Sequence, residues 1–122
     1  VLVLLGLLAL AASSFGATTG QYSSRFDTVE VDKILANPRV LENYVKCVTD
    51  KGPCTAEGKD IKKILPEVLA TSCAKCSPQL RSNVKKTIVA MREKYPNEWA
   101  QVVAKYDPKR THAKDLEAFL KA

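Results

Sequence analysis

The sequence predicts an all-α protein, a single domain of five to six short helices with two local disulfides. Three observations support this prediction. Apolar residues recur at helical spacing between caps and prolines, no stretch alternates in the manner of a β-strand, and four cysteines follow an apolar leader with spacing C-x6-C-x18-C-x2-C. An even cysteine count in a short chain with such a leader is typical of small secreted domains.

The leader occupies residues 1–20. Residues 1–12 are uncharged and apolar, and residues 13–20 are small or polar, as in the apolar region and cleavage zone of a signal peptide. The apolar stretch is too short to span a membrane. Because a charged start and an initiator Met are missing, we expect the leader to be truncated. We therefore expect cleavage between about residues 14 and 20 and a mature domain over residues 21–122.

The first two helices are separated by a cap. Val31 to Ala36 predicts a short first helix. Asn37 and Pro38 predict the start of a second helix, as N-cap and first helical residue, and Gly52-Pro53 ends it. The apolar stripe of the second helix consists of Leu41, Tyr44, Val45 and Val48.

The third helix has the clearest apolar pattern of the chain. Thr55 is its predicted N-cap, and Pro66 within it predicts a bend because proline removes a backbone donor. The stripe follows the i, i+3, i+4, i+7, i+8 spacing of a helix that faces a core: Ile61, Ile64, Leu65, Val68 and Leu69.

Three further helices complete the domain. Ser77 and Pro78 predict the start of the fourth, and Pro96 separates it from the fifth, which stops at Pro108. Thr111 is a candidate N-cap for a short last helix. The predicted apolar positions are Leu80, Val84, Ile88 and Met91 in the fourth helix, Trp99, Val102, Val103 and Tyr106 in the fifth, and Leu116, Phe119 and Leu120 in the last.

The cysteines are Cys47, Cys54, Cys73 and Cys76. Three disulfide connectivities are possible, and the two short spacings would each allow a local loop. A zinc site is the alternative, but C-x6-C is wider than the short turns that zinc sites use. A redox C-x2-C motif would need a βαβ setting that the sequence lacks. We therefore expect structural disulfides, no metal and no cofactor.

Charge and motifs argue against several functions. The net charge is +6, but the lysines are scattered among apolar positions as on solvated helix faces, and no nucleic-acid-binding motif accompanies them. His112 is the single histidine, no thiol is expected to be free, and no catalytic motif is present. We expect neither nucleic-acid binding nor an enzyme.

Most of the mature chain resembles the insect chemosensory protein (OS-D-like) family, from about residue 22 to residue 108. The matching segments are residues 31–35, 43–47, 52–58, 65–69, 73–76, 98–99 and 105–108. The resemblance implies a secreted six-helix protein with disulfides Cys47–Cys54 and Cys73–Cys76 around an apolar channel. The ligands of the family are long-chain fatty acids, alcohols, esters and similar semiochemicals.

The resemblance also implies roles for two aromatic residues. Tyr44 and Trp99 stand at family positions that line or gate the channel, although aromatic residues at helical spacing commonly fill a core instead. The other candidate lining residues are Ile34, Leu41, Val45, Ile64, Leu65, Val68, Val84, Ile88, Met91 and Val103. We expect a monomer in sensillar lymph or haemolymph, with a chemoreceptor as a possible partner and no stable membrane insertion.

The sequence departs from the family at three places. Phe26 replaces a common Tyr, Pro38 replaces a common charged residue, and residues 109–115 replace a run rich in glycine and aromatic residues. The contacts that the last helix makes in the family are therefore the ones least expected to occur in this chain. The alternative function is that of a secreted signalling or defence protein whose basic surface engages a receptor or an anionic membrane.

Overall fold

A computed structural model describes residues 21–122 as an all-α domain, and no strand occurs within that range. A short 3-10 helix, Ser24–Thr28, precedes six α-helices. They are α1 (Val31–Ala36), α2 (Pro38–Val48), α3 (Ala56–Thr71), α4 (Pro78–Lys94), α5 (Pro96–Tyr106) and α6 (Ala113–Lys121). The predicted fold class is confirmed. The predicted leader lies outside the described residues.

Three helix starts are fixed by the predicted caps. The Asn37 side chain accepts hydrogen bonds from two backbone N–H groups in the first turn of α2. The Thr55 hydroxyl accepts from the third residue of α3, and the Ser77 hydroxyl accepts from the third residue of α4. Each cap thereby satisfies backbone donors that a helix start leaves without partners.

The last helix starts differently from the prediction. Thr111 is not its N-cap; α6 begins at Ala113, and the capping position, His112, makes no side-chain cap bond. Instead the Asp107 carboxylate accepts hydrogen bonds from the backbone N–H groups of Thr111 at 2.8 Å and His112 at 3.1 Å. Asp107 thus orders the turn before α6, and a hydroxyl cap at Thr111 is not needed.

The 3-10 helix at Ser24–Thr28 was not predicted. Its five residues contain one buried apolar side chain, Phe26, so they show no periodicity. The Ser23 hydroxyl accepts a hydrogen bond from the backbone N–H of Arg25 and caps the helix. Phe26 then anchors the start of the domain.

Both disulfides are local. Cys47–Cys54 ties the end of α2 to the segment before α3, and Cys73–Cys76 closes the turn between α3 and α4. The buried cysteines of the two disulfides belong to different core clusters. The first core cluster consists of Leu41, Val45, Cys47, Val48, Leu69, Met91 and Val102, and the second of Phe26, Val68, Cys73, Cys76, Leu80 and Phe119.

Polar contacts join helices that are distant in sequence. The Tyr95 hydroxyl donates to the backbone carbonyl of Leu35 at 2.9 Å and ties α1 to the start of α5. The Tyr106 hydroxyl donates to the carbonyl of Val48 and ties the ends of α2 and α5. None of the helices within residues 21–122 combines the length and the apolar character needed to cross a membrane.

Candidate functional site

A cavity with a volume of about 190 Å³ lies between the two core clusters of the described domain. The 3-10 helix and helices α1 to α5 supply its wall, whereas α6 supplies no lining residue. Apolar side chains dominate the wall, and no lining residue within residues 21–122 carries a charge. An uncharged apolar cavity of this kind is suited to apolar molecules and not to ions.

Eleven of the twelve residues predicted from the sequence line this central cavity. They are Ile34, Leu41, Tyr44, Val45, Ile64, Leu65, Val68, Val84, Ile88, Met91 and Trp99. Five different helices, α1 to α5, bring them together, because each helix turns its apolar stripe inward. Whether they contact a ligand remains a prediction.

Val103 does not line the central cavity. Consecutive residues of a helix point about 100° apart, and on α5 it is Val102 that faces the cavity. Val103 instead borders a small pocket of about 20 Å³ beside the start of α6. The apolar stripe contained both valines, and periodicity alone did not show which of them faces the cavity.

Eleven further lining residues were not predicted as site residues. They are Phe26, Val29, Val31, Leu35, Val48, Ile61, Leu69, Leu80, Asn83, Thr87 and Val102. Several of them belong to the apolar stripes and carried the same signal as the predicted set. Asn83 and Thr87 are polar, but they lie three residues after Leu80 and Val84, so helical spacing places them on the cavity face of α4.

Tyr44 combines a ring on the cavity wall with a hydroxyl outside it. The hydroxyl donates a hydrogen bond to Glu57 Oε1 at 2.6 Å, at the exposed first turn of α3. Burial, and then the hydrogen bond to the Glu57 carboxylate, raise the pKa of Tyr44 to about 12. The hydroxyl is therefore protonated at physiological pH and its single hydrogen is held by Glu57.

Trp99 lies in the first turn of α5 and is partly buried. It packs against the first core cluster and borders both the central cavity and the small pocket. A single Trp in the chain makes its fluorescence a local reporter of the cavity.

Within residues 21–122 there is no group of three or more His, Cys, Asp or Glu side chains placed to hold a metal ion. The single histidine, His112, is partly buried beside the small pocket. The central cavity is therefore the candidate functional site.

These features define a class of small all-α proteins with local disulfides and an internal apolar cavity. A family model described as "Insect pheromone-binding family, A10/OS-D" matches residues 22–114. The chain belongs to this family, the insect chemosensory proteins.

Relatives with known names support the assignment. The chain is 42% identical over 121 residues to ejaculatory bulb-specific protein 3 of Drosophila melanogaster, covering 99% of this chain and 91% of the relative. A solved chemosensory protein in complex with bromo-dodecanol has 33% identity and a TM-score of 0.73, covering 80% of this chain and 98% of that one. Antennal chemosensory protein A6 of the moth Mamestra brassicae has 33% identity and a TM-score of 0.66, with coverage of 82% and 93%.

Proposed function

We propose that the protein is a soluble secreted carrier that holds long-chain hydrophobic molecules, such as fatty acids, alcohols and esters, in its central cavity. The uncharged apolar wall of the cavity is the observation that carries the proposal. Family membership supports it, as does the chemosensory protein of the same fold that was solved with bromo-dodecanol.

Burial of the ligand chain would drive binding. At about 0.8 kcal/mol per buried methylene group, a twelve-carbon chain gains up to about 10 kcal/mol before the costs of ordering and association. Those costs leave an affinity in the micromolar range as the expectation. Chain lengths that differ by one methylene group would be discriminated only weakly.

The test is a titration of the domain with saturated acids and alcohols of about twelve to eighteen carbons. We expect saturable changes in Trp99 fluorescence with micromolar midpoints, and competition with a fluorescent apolar naphthylamine probe. Trp99→Phe should remove the fluorescence signal while the displaced probe still reports binding. A wild-type protein that neither responds nor releases the probe would contradict the carrier function.

A matched pair of substitutions on α4 locates the site. Val84 lines the cavity, whereas Val89 is an exposed residue of the same helix. Val84→Phe fills part of the cavity; if it excludes about two methylene groups, the affinity for long chains falls about fifteenfold. Val89→Phe adds the same ring outside the cavity and should leave binding unchanged. Equal effects of the two changes would place the ligand elsewhere.

The proposal extends to secretion, a monomeric state, delivery to a chemoreceptor and the absence of enzymatic activity. Two disulfides support an oxidising extracellular compartment such as sensillar lymph or haemolymph. Recovery of the protein from extracellular fluid, with the mass of a single chain in solution, checks the first two points. Recovery from the cytosol, or a stable dimer, would contradict them.

A further inference from the structure

The wall of the central cavity contains one deeply buried polar side chain, Asn83 on α4. Asn83 is only 8% exposed. Its carbonyl oxygen accepts a hydrogen bond from Gln79 Nε2 at 3.1 Å, and its amide nitrogen donates no hydrogen bond to any residue in 21–122. Burying an amide without partners costs free energy, so such a group in an apolar wall needs an explanation.

The amide nitrogen of Asn83 is not fully enclosed by protein. Among the described residues, no fully enclosed side-chain nitrogen or oxygen lacks a hydrogen-bond partner. Because the Asn83 nitrogen has no such partner, it is not fully enclosed by protein, and Asn83 is a residue of the cavity wall. A residue of the wall thus has two N–H donors without a partner among the described residues.

Thr87 places an acceptor beside this donor. It lies one helical turn after Asn83, lines the same cavity, and donates its hydroxyl hydrogen to the backbone carbonyl of Asn83 at 2.7 Å. With its hydrogen used, the Thr87 oxygen can only accept a further hydrogen bond. Side chains four residues apart in a helix are neighbours, so α4 presents a donor and an acceptor side by side.

We propose that Asn83 and Thr87 form an internal head-group subsite for the hydroxyl of a long-chain alcohol. A hydroxyl both accepts and donates, so it can accept from Asn83 Nδ2 and donate to Thr87 Oγ1. An ether or ester oxygen can use only the Asn83 donor. This inference rests on the proposed carrier function and specifies the ligand class that the cavity prefers.

A carboxylate fits this subsite less well than a hydroxyl. No lining residue within the described part of the chain is cationic, so an ionised fatty acid would lose its hydration without gaining a counter-charge. The Thr87 oxygen, restricted to accepting, would face a carboxylate that cannot donate. We therefore expect dodecanol to bind more tightly than dodecanoate at neutral pH.

The experiment compares dodecanol with dodecyl methyl ether in competition with the naphthylamine probe. An entirely apolar wall would favour the ether, which loses less hydration on entry, whereas the subsite favours the alcohol. Asn83→Leu removes the donor at similar size, and Thr87→Val removes the acceptor. We expect Asn83→Leu to weaken both ligands about three- to tenfold, and Thr87→Val to weaken the alcohol alone by a similar factor.

Thr71→Val is the matched control for Thr87→Val. Thr71 on α3 makes the same type of bond to the carbonyl four residues earlier, but it is exposed and does not line the cavity. Thr71→Val should leave the affinities of both ligands unchanged. If Asn83→Leu does not fold, Thr87→Val still tests the subsite by its selective effect on the alcohol.

The outcomes separate this inference from the carrier function. Unchanged alcohol-to-ether ratios in Thr87→Val, or unchanged affinities in a folded Asn83→Leu that binds the probe normally, would overturn the subsite while leaving the carrier intact. A wild-type protein that binds neither the ligands nor the probe would instead contradict the carrier function itself. A preference of the wild type for the ether would also overturn the subsite.

Discussion

Gly58 is a residue at which a side chain would meet close neighbours on two sides. It is buried in the first turn of α3, and a β-carbon there would lie 3.1 Å from Cys47 Sγ and 3.3 Å from Thr55 Oγ1. The sulfur is held by the disulfide to Cys54, and the oxygen caps the helix, so neither atom can move freely. The glycine is therefore explained by close approach and not by an unusual backbone conformation.

We expect Gly58→Ala to lower the free energy of unfolding by about 1–2 kcal/mol. Overpacking costs about 1–3 kcal/mol, and the better helix propensity of Ala returns up to about 1 kcal/mol. Urea denaturation measures the difference. Lys59→Ala, at the adjacent exposed position, is the control and should change stability by less than about 0.5 kcal/mol. A more stable Gly58→Ala protein would show that the helix start can relax.

At the scale of single helices, the two disulfides hold neighbouring elements rather than distant ones. Cys47–Cys54 spans 7 positions of sequence and Cys73–Cys76 spans 3. Short loops remove little entropy from the unfolded chain, so each bridge stabilises by about 2 kcal/mol. The apolar core therefore supplies most of the stability.

Replacing both cysteines of either bridge by Ala should lower the free energy of unfolding by about 2 kcal/mol. For a domain of this size, such a loss corresponds to a melting temperature lower by about 8–16 °C. Thermal unfolding followed by circular dichroism checks this expectation. Complete loss of the folded state on removing one bridge would contradict the small-loop argument and assign the disulfide a larger role.

Local signals decided which helix boundaries could be predicted. Asn37, Thr55 and Ser77 each bond to a backbone group within three residues, so the sequence alone reveals them. The start of α6 depends on Asp107, which reaches forward over four and five residues through a non-helical turn. No periodic pattern in the sequence indicates such a contact. The prediction of Thr111 as the N-cap of α6 was therefore wrong.

At the scale of the whole molecule, Asp50 connects three helices. It follows α2 and forms ion pairs with Lys62 of α3 and, at 2.6 Å, with Lys105 of α5. Hydrogen bonds from Lys105 and then Lys62 lower the pKa of Asp50 to about 2. Because the unfolded chain has an Asp pKa of about 3.9, ionised Asp50 favours the folded state above that pH.

Stability should therefore decrease as the pH falls from about 4 to about 2, where Asp50 becomes protonated in the folded protein. Urea midpoints measured across this range test the expectation. Asp50→Asn should make the decrease smaller, because Asn tolerates the left-handed backbone at this position and does not titrate there. Part of the decrease should remain, since hydrogen bonding to Tyr22 also lowers the pKa of Glu67. If the urea midpoint of the variant falls as much as that of the wild type, Asp50 is not the cause of the decrease.

The cavity could be predicted only in part, because it depends on how the helices face one another. Helical periodicity identified the inward stripes, and those stripes supplied most of the wall. The choice between Val102 and Val103 depends on the rotation of α5 about its axis, which tertiary packing sets. Asn83 and Thr87 were missed because polar residues on an inward face interrupt the pattern on which such predictions rely.

Helix α6 contributes to the packing of the core but not to the wall of the central cavity. Phe119 of α6 packs into the second core cluster, with Arg81 and Lys85 over its ring at 5.6 and 5.2 Å, while no residue of α6 borders the central cavity. The family match ends at residue 114, just inside this helix. Substitutions on the outward face of α6 can accumulate without altering the interior, so lineages can diversify this surface while the range of bound molecules stays the same.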